Sequence, residues 1–192
     1  MADVEPFTIL VVCTGNICRS PAAARLLGHA LSPGLGFDIQ SAGTRALVGA
    51  PVAPPMAELL EEEGVSASDF RAQQLTPELL RTAGLVLTMT RAHRATVAAM
   101  YPPAVTRTFT LREFAAILRN PGGFTAVPES NLAERAALAT SLAATQRSRL
   151  DPRRPKEADD VIDPFGRTRA VYRASFDQLQ PAVTTILEVL GA

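Results

Sequence analysis

Short apolar runs alternate with longer segments of helical periodicity along most of the chain. Four runs rich in β-branched and aliphatic residues, 7–12, 37–41, 85–89 and 106–110, predict buried strands. Helical patterns follow at 22–31, 55–63, 76–83, 90–100 and from 111 onward, and a final amphipathic pattern covers 168–190. This β-α-β-α-β-α-β-α order with short connections predicts an α/β fold, a four-stranded parallel sheet with helices on both faces.

The turn between the first strand and the first helix carries the densest candidate chemistry. Cys13 and Arg19 are separated by five residues, and the loop precedes a helix start at which Ser20 is predicted to cap and Pro21 suits the first turn. Backbone amides and the positive end of the helix favour an oxyanion such as phosphate. The same field favours the Cys13 thiolate, and Arg19 can bind a phosphoryl group with two hydrogen bonds.

Smaller residues of this loop have predicted roles of their own. Gly15 is expected to turn the backbone where a Cβ would clash, and Asn16 is the non-glycine type most able to adopt positive φ. The Ser20 hydroxyl is expected to donate to the Cys13 sulfur and make it a better leaving group.

The run Cys13-Thr14-Gly15-Asn16-Ile17-Cys18-Arg19-Ser20-Pro21 resembles the active-site loop of the low-molecular-weight protein tyrosine phosphatases. The resemblance implies one phosphatase domain over residues 1–192, with Cys13 as nucleophile and Arg19 as phosphate ligand. It also implies that the intervening residues and Ser20 bind substrate phosphate. Cys18 is then either a partner that traps oxidised Cys13 as a disulfide or a small residue packed beneath the loop.

The segment after the second strand both agrees with the family and departs from it. The tetrapeptide Ser41-Ala42-Gly43-Thr44 resembles the family passage whose serine supports the phosphate loop, which implies that Ser41 contacts Asn16. Relatives often place Trp or Tyr shortly afterwards as a wall for the substrate ring, whereas this chain has residues 45–49, Arg-Ala-Leu-Val-Gly. An aliphatic wall is therefore expected.

Hydrolysis through a phosphocysteine needs an acid for the leaving oxygen, and two Asp-Pro pairs compete for that role. Asp151 lies in a charged tract, whereas Asp163-Pro164-Phe165 directly precedes the last helical pattern. The family's general acid lies in an Asp-Pro-aromatic passage at that place, so the resemblance implies Asp163, with Phe165 beside the substrate ring. Gly166 stands where many relatives have a second aromatic residue.

The segment 120–158 exceeds what short family members contain and predicts a helical insertion with a charged, flexible, solvated return. The only two histidines, His29 and His93, fall in predicted helices without a carboxylate or cysteine at ligand spacing. They are interpreted as surface or half-buried residues without a catalytic role. Neither a metal site nor a cofactor is predicted.

Composition narrows the function classes further. The net charge of zero argues against a nucleic-acid or anionic-membrane partner, and the two cysteines, both in the loop, indicate a reducing compartment, the cytoplasm. No signal peptide or membrane span is predicted. The oligomeric state is not predictable.

The predicted function is metal-independent hydrolysis of phosphotyrosine on a protein, such as a tyrosine kinase or a polymer-biosynthesis protein. Three alternatives remain open. The active-site loop of arginine phosphatases resembles this one but has Thr at the position of Ile17. Arsenate reductases of this fold generally need further cysteines, which this chain does not contain. A non-catalytic oxyanion-binding module would have no use for the acid.

Overall fold

A computed structural model describes residues 6–31, 33–119, 131–150 and 153–191. The strands are β1 (Phe7–Cys13), β2 (Phe37–Gly43), β3 (Leu85–Thr88) and β4 (Thr108–Thr110). The helices are α1 (Arg19–Ala30), α2 (Pro54–Glu62), α3 (Pro77–Thr82), α4 (Arg91–Met100), α5 (Leu111–Leu118), α6 (Leu132–Gln146) and α7 (Arg169–Leu190).

All four strands are parallel and lie in the order β2-β1-β3-β4. The order places β1 between β2 and β3, so the loops that follow these three strands meet at one edge of the sheet. Ligands bind at this carboxyl edge in open α/β sheets. The predicted fold class is confirmed.

Alternate residues of β1 divide the core into two layers, as a strand buried on both faces requires. Ile9 and Val11 face a cluster formed with α1, α2, α5 and α7. Leu10 and Val12 face a smaller cluster that includes residues of α3 and α4, such as Leu80 and Val97. Helices therefore cover both faces of the sheet.

Two local predictions are wrong. Helix α1 begins at Arg19, after Cys18, and has no side-chain cap; Ser20 lies inside the helix. Its hydroxyl instead contacts the Cys13 sulfur. Strand β4 begins only at Thr108, because residues from Pro102 to Arg107 form a 3-10 turn.

The insertion contains the expected helix, α6, and its charged return is exposed in part, at residues 153, 155 and 157. The α6 residues Ala136, Ala139 and Ala143 are fully buried in the larger cluster. Asp159 is also buried and contacts Arg154 and Arg91. The buried carboxylate is therefore paired within the fold, which the mixed signs of this segment along the sequence did not reveal. Asp151 and residues 120–130 lie outside the described residues.

Candidate active site

The loop that links β1 to α1 places a thiol at the carboxyl edge of the sheet. Cys13 ends β1 and is 2% exposed. Its Sγ lies 2.9 Å from Ser20 Oγ and accepts a hydrogen bond from the Asn16 backbone N–H at 3.3 Å. Because Ser20 Oγ already accepts from Asn16 Nδ2, its own proton is available for the sulfur, as predicted.

Asn16 holds the loop in shape from beneath. It is the only non-glycine residue with positive φ (55°) in the described structure, and it is fully buried. Asn16 Nδ2 donates to Ser41 Oγ at 2.9 Å, so the predicted contact is confirmed. Asn16 Oδ1 accepts from the Gln73 backbone N–H at 2.8 Å, a partner that the sequence did not indicate.

The segment after β2 runs against the loop between β1 and α1 through three backbone hydrogen bonds. In these bonds the N–H groups of Thr44, Arg45 and Leu47 donate to the carbonyls of Cys13, Thr14 and Gly15, respectively. A Cβ at Gly43 would lie 2.5 Å from the Thr14 carbonyl oxygen. A Cβ at Gly15 would meet only Ile17 Cγ1, at 3.5 Å. Gly43 is therefore the position where a side chain would clash with the loop. The steric role predicted for Gly15 is wrong.

Arg19 is 4% exposed and its guanidinium is only partly satisfied. One terminal nitrogen donates to the Val161 carbonyl at 3.2 Å, and the other lies 2.6 Å from Asp163 Oδ2. Its Nε is buried and has no hydrogen-bond partner among the described residues. A buried donor without a partner is costly, so this nitrogen suits an anionic ligand.

These groups surround one cavity of about 150 Å³. It is lined by Cys13, Thr14, Gly15, Ile17, Cys18, Arg19, Arg45, Leu47, Asp163 and Phe165. Leu47 supplies the expected aliphatic wall, and Phe165, 59% exposed, lines the mouth. Gly166 is not among the lining residues, and a Cβ there would contact nothing within 4 Å.

The predicted acid enters this cavity from a loop held by main-chain contacts. Val161 N–H donates to the Met89 carbonyl beyond β3, and Ser175 Oγ donates to the Ile162 carbonyl from α7. The Phe165 N–H donates to Asp163 Oδ1 at 3.2 Å, which orients the carboxylate. Asp163 therefore lies with Cys13 and Arg19 in one site.

Cys18 is a second buried thiol of the loop. Its Sγ donates to Tyr172 Oη at 3.9 Å, and both cysteines are free. Burial is the main cause that raises the Cys18 pKa to about 12. A thiol in this state is a poor nucleophile, which favours the packed-residue interpretation in the reduced protein. The disulfide stays a prediction.

His93 is more closely tied to the loop than the sequence indicated. It lies in the first turn of α4, is 7% exposed, and its Nε2 is 2.8 Å from Thr14 Oγ1. Burial, followed by the positive charge of Arg19, lowers the His93 pKa to about 4. The interpretation as a surface or half-buried residue is wrong for His93, whereas His29 is exposed.

Comparison with known proteins agrees with this geometry. Residues 8–121, more than half of the chain, match the model of the family described as low molecular weight phosphotyrosine protein phosphatase. The chain belongs to this family. A probable low molecular weight protein-tyrosine-phosphatase, EpsP of Ralstonia solanacearum, is 44% identical over 106 residues, which cover 55% of this chain and 71% of EpsP.

Two further phosphatases match nearly the whole chain. The protein-arginine-phosphatase of Geobacillus stearothermophilus is 32% identical over 185 residues, covering 96% of this chain and 97% of that protein. The tyrosine phosphatase AmsI of Erwinia amylovora superposes with a TM-score of 0.70 at 26% identity, covering 100% of this chain and 98% of AmsI. The family match ends before Asp163, but both of these alignments extend over it.

Other site types find no support in the described part of this phosphatase. No group of three or more His, Cys, Asp or Glu residues within residues 6–31, 33–119, 131–150 and 153–191 could hold a metal ion. Over the same residues, no helix combines the length and apolar character that crossing a membrane requires.

Proposed function

We propose that the protein is a protein tyrosine phosphatase that hydrolyses phosphotyrosine through a phosphocysteine intermediate. The observation that carries the proposal is the convergence of Cys13, Arg19 and Asp163 on one narrow cavity, with the Arg19 Nε buried and unpartnered. A thiol, an oxyanion ligand and an acid within one cavity are the set that phosphoryl transfer to sulfur needs.

In the first step the Cys13 thiolate attacks phosphorus, the P–O bond to the tyrosine breaks, and Asp163 gives its proton to the phenolate oxygen. The loop amides and Arg19 bind the phosphoryl oxygens, and the phosphate replaces the Asp163 carboxylate as the partner of Arg19. In the second step Asp163 takes a proton from water, the water oxygen attacks phosphorus, and the P–S bond breaks. The Ser20 proton stabilises the departing thiolate.

The cavity walls support an aromatic substrate. Ile17, Leu47 and Phe165 present apolar surface around the site, which suits a phenyl ring. Arg45 lines the same cavity, and its positive charge is unfavourable for the guanidinium of phosphoarginine. Arg45 and Ile17 together therefore favour phosphotyrosine over phosphoarginine as the substrate.

Arginine phosphatase activity is the second candidate. It is supported by the relative of that name that aligns with 96% of this chain, whereas the tyrosine phosphatase EpsP aligns with 55% of it. The aliphatic wall at Leu47 also gives an aromatic ring less stacking interaction than Trp or Tyr would.

The site predictions extend to binding and cellular context. We propose that Thr14, Gly15, Asn16, Ile17, Cys18 and Ser20 form the phosphate-binding loop, with Phe165 beside the substrate ring and Ser41 supporting Asn16. The substrate is a phosphotyrosine-bearing protein, for which a tyrosine kinase or a polymer-biosynthesis protein is a candidate. The two free thiols fit a cytoplasmic protein.

The deciding experiment is hydrolysis of a phosphotyrosine peptide beside phosphoarginine and phosphoserine, with EDTA present and vanadate as competitor. We expect phosphotyrosine turnover that resists EDTA, is inhibited by vanadate and is abolished in Cys13→Ser, while that variant still binds phosphate. Faster turnover of phosphoarginine would establish the second candidate. Phosphate binding without any turnover, in the wild-type protein, would contradict both and favour a binding module or an arsenate reductase.

A further inference from the structure

His93 reaches the phosphate loop from another part of the chain. Its ring lies between two hydroxyl groups: Nε2 is 2.8 Å from Thr14 Oγ1, and Nδ1 is 2.9 Å from Thr90 Oγ1. Thr14 lines the cavity, and the His93 ring is almost wholly buried. A buried ring with both nitrogens in hydrogen bonds has a fixed orientation.

The contacts of Thr90 indicate which nitrogen carries the proton. Thr90 Oγ1 is the N-cap of α4 and accepts the His93 backbone N–H at 3.2 Å. A hydroxyl that accepts from an amide still has one proton to donate, and Nδ1 is the acceptor within reach. If Thr90 donates this proton to Nδ1, the neutral imidazole carries its own proton on Nε2, and this is the tautomer that the proposal adopts.

We propose that His93 is a positioning residue, whose Nε2–H donates to Thr14 Oγ1 and thereby turns the Thr14 hydroxyl proton toward a phosphate oxygen in the cavity. The hydrogen-bond sequence runs from the Thr90 hydroxyl to Nδ1, from Nε2–H to Thr14 Oγ1, and from the Thr14 hydroxyl to the oxyanion. The inference rests on the proposed function in one respect, because it requires the cavity to bind phosphate.

The surroundings keep the ring in the neutral form that this sequence of bonds requires. The positive charge of Arg19 opposes protonation, and the carboxylates of Asp163 and Asp160 favour it. Burial is the largest cause that lowers the His93 pKa to about 4, Arg19 adds to it, and the two carboxylates do not offset them, so the ring is neutral at neutral pH. With the opposite tautomer, Nε2 would accept the Thr14 proton and the oxyanion would lose a donor.

The tautomer can be measured without any assay of activity. In ¹⁵N NMR spectra of the wild-type protein at neutral pH, protonated and unprotonated ring nitrogens of a histidine resonate in well-separated ranges. We expect His93 to carry its proton on Nε2. A proton on Nδ1 would overturn the proposal, even if the protein proves to be an active phosphatase.

Variants test the consequence for the bound oxyanion, with inorganic phosphate as the probe and its dissociation constant as the readout. Thr14→Val should weaken phosphate binding by about tenfold or more, since hydrogen bonds to charged groups are among the stronger ones. Thr14→Ser should retain most of the affinity. His93→Leu should weaken binding by several-fold, and His93→Gln, which can place an N–H near the Nε2 position, should restore part of it.

The double variant separates positioning from a general effect on folding. If His93 acts through Thr14, the Thr14→Val and His93→Leu effects on phosphate binding are not additive, and the double variant binds like Thr14→Val alone. Additive losses, or unchanged binding in Thr14→Val, would overturn the proposal. His29→Leu, at the exposed histidine of α1, is the matched control and should leave phosphate binding unchanged. Failure of the wild-type protein to hydrolyse any phosphorylated substrate would count against the proposed function alone.

Discussion

Replacement of Asn16 tests how far one buried side chain maintains the phosphate loop. Asn16→Ala removes three hydrogen bonds, to Ser20, Ser41 and the Gln73 amide, and places alanine at φ of 55°. Each hydrogen bond contributes about 0.5–1.5 kcal/mol net, and the left-handed conformation costs alanine about 1 kcal/mol. The expected loss is therefore about 2.5–5.5 kcal/mol in the free energy of unfolding.

Asn16→Gly separates the two contributions. Glycine loses the same hydrogen bonds but adopts positive φ without steric cost, so it should be about 1 kcal/mol more stable than the alanine variant. Both variants should bind inorganic phosphate more weakly than the wild type, because the loop amides lose the support that aligns them.

The assay is urea unfolding, with the phosphate dissociation constant measured by calorimetry. Asn131→Ala is the matched control: Asn131 caps α6 through one hydrogen bond, to the Ala133 N–H, at ordinary φ. It should cost about 1 kcal/mol and leave phosphate binding unchanged. A loss in Asn16→Ala no larger than this, or a glycine variant less stable than the alanine variant, would refute the reasoning.

Three further predictions concern Asp163 as the proposed acid, the tight packing of Gly43 against Thr14, and the pH dependence of stability. Asp163→Asn should lower kcat by about 10²–10⁴-fold on phosphotyrosine peptide, and a value near wild type would exclude Asp163 as the acid. Gly43→Ala should lower both stability and turnover, since its Cβ would lie 2.5 Å from the Thr14 carbonyl oxygen. Gly166→Ala meets no atom within 4 Å, so it should lose only the cost of about 1–2 kcal/mol that its φ of 69° imposes on alanine, and it should leave turnover unchanged. Because the His93 pKa is lowered to about 4 from 6.5, the unfolded chain binds more protons between these values, and stability should fall as pH is lowered through that range, by at most about 1.4 kcal/mol per unit. Urea unfolding at pH 7 and pH 5 should show a smaller decrease in His93→Gln than in the wild type.

The elements and the chemistry of the central loop were predictable because local patterns determine them. The apolar run of β1 is uninterrupted, and residues 13–21 carry the thiol, the positive-φ residue and the guanidinium in one short segment. The start of α1 was predicted wrongly for a physical reason. No side chain caps α1, so its first amides stay available as donors for an oxyanion.

Contacts between distant parts of the chain were not predictable from periodicity. His93 and Gln73 reach the loop only because β3 pairs with β1 and the segment after α2 pairs with the end of β2. One signal was present in the sequence: Thr90 and His93 follow directly after a predicted strand. In a parallel sheet, that position lies at the same edge as the loop after β1. Strand order decides whether such residues touch, and the sequence does not specify it.

The charged return of the insertion has a structural consequence for the acid. Asp160 accepts the Arg91 backbone N–H at 2.8 Å, at the beginning of α4, and the next residue, Val161, donates to the Met89 carbonyl at 2.8 Å. The Val161 carbonyl in turn accepts from Arg19. Asp163 therefore approaches the cavity on a backbone fixed both to the end of β3 and to the phosphate loop. In the proposed mechanism this exposed carboxylate needs such support, because its ion pair with Arg19 gives way when phosphate binds.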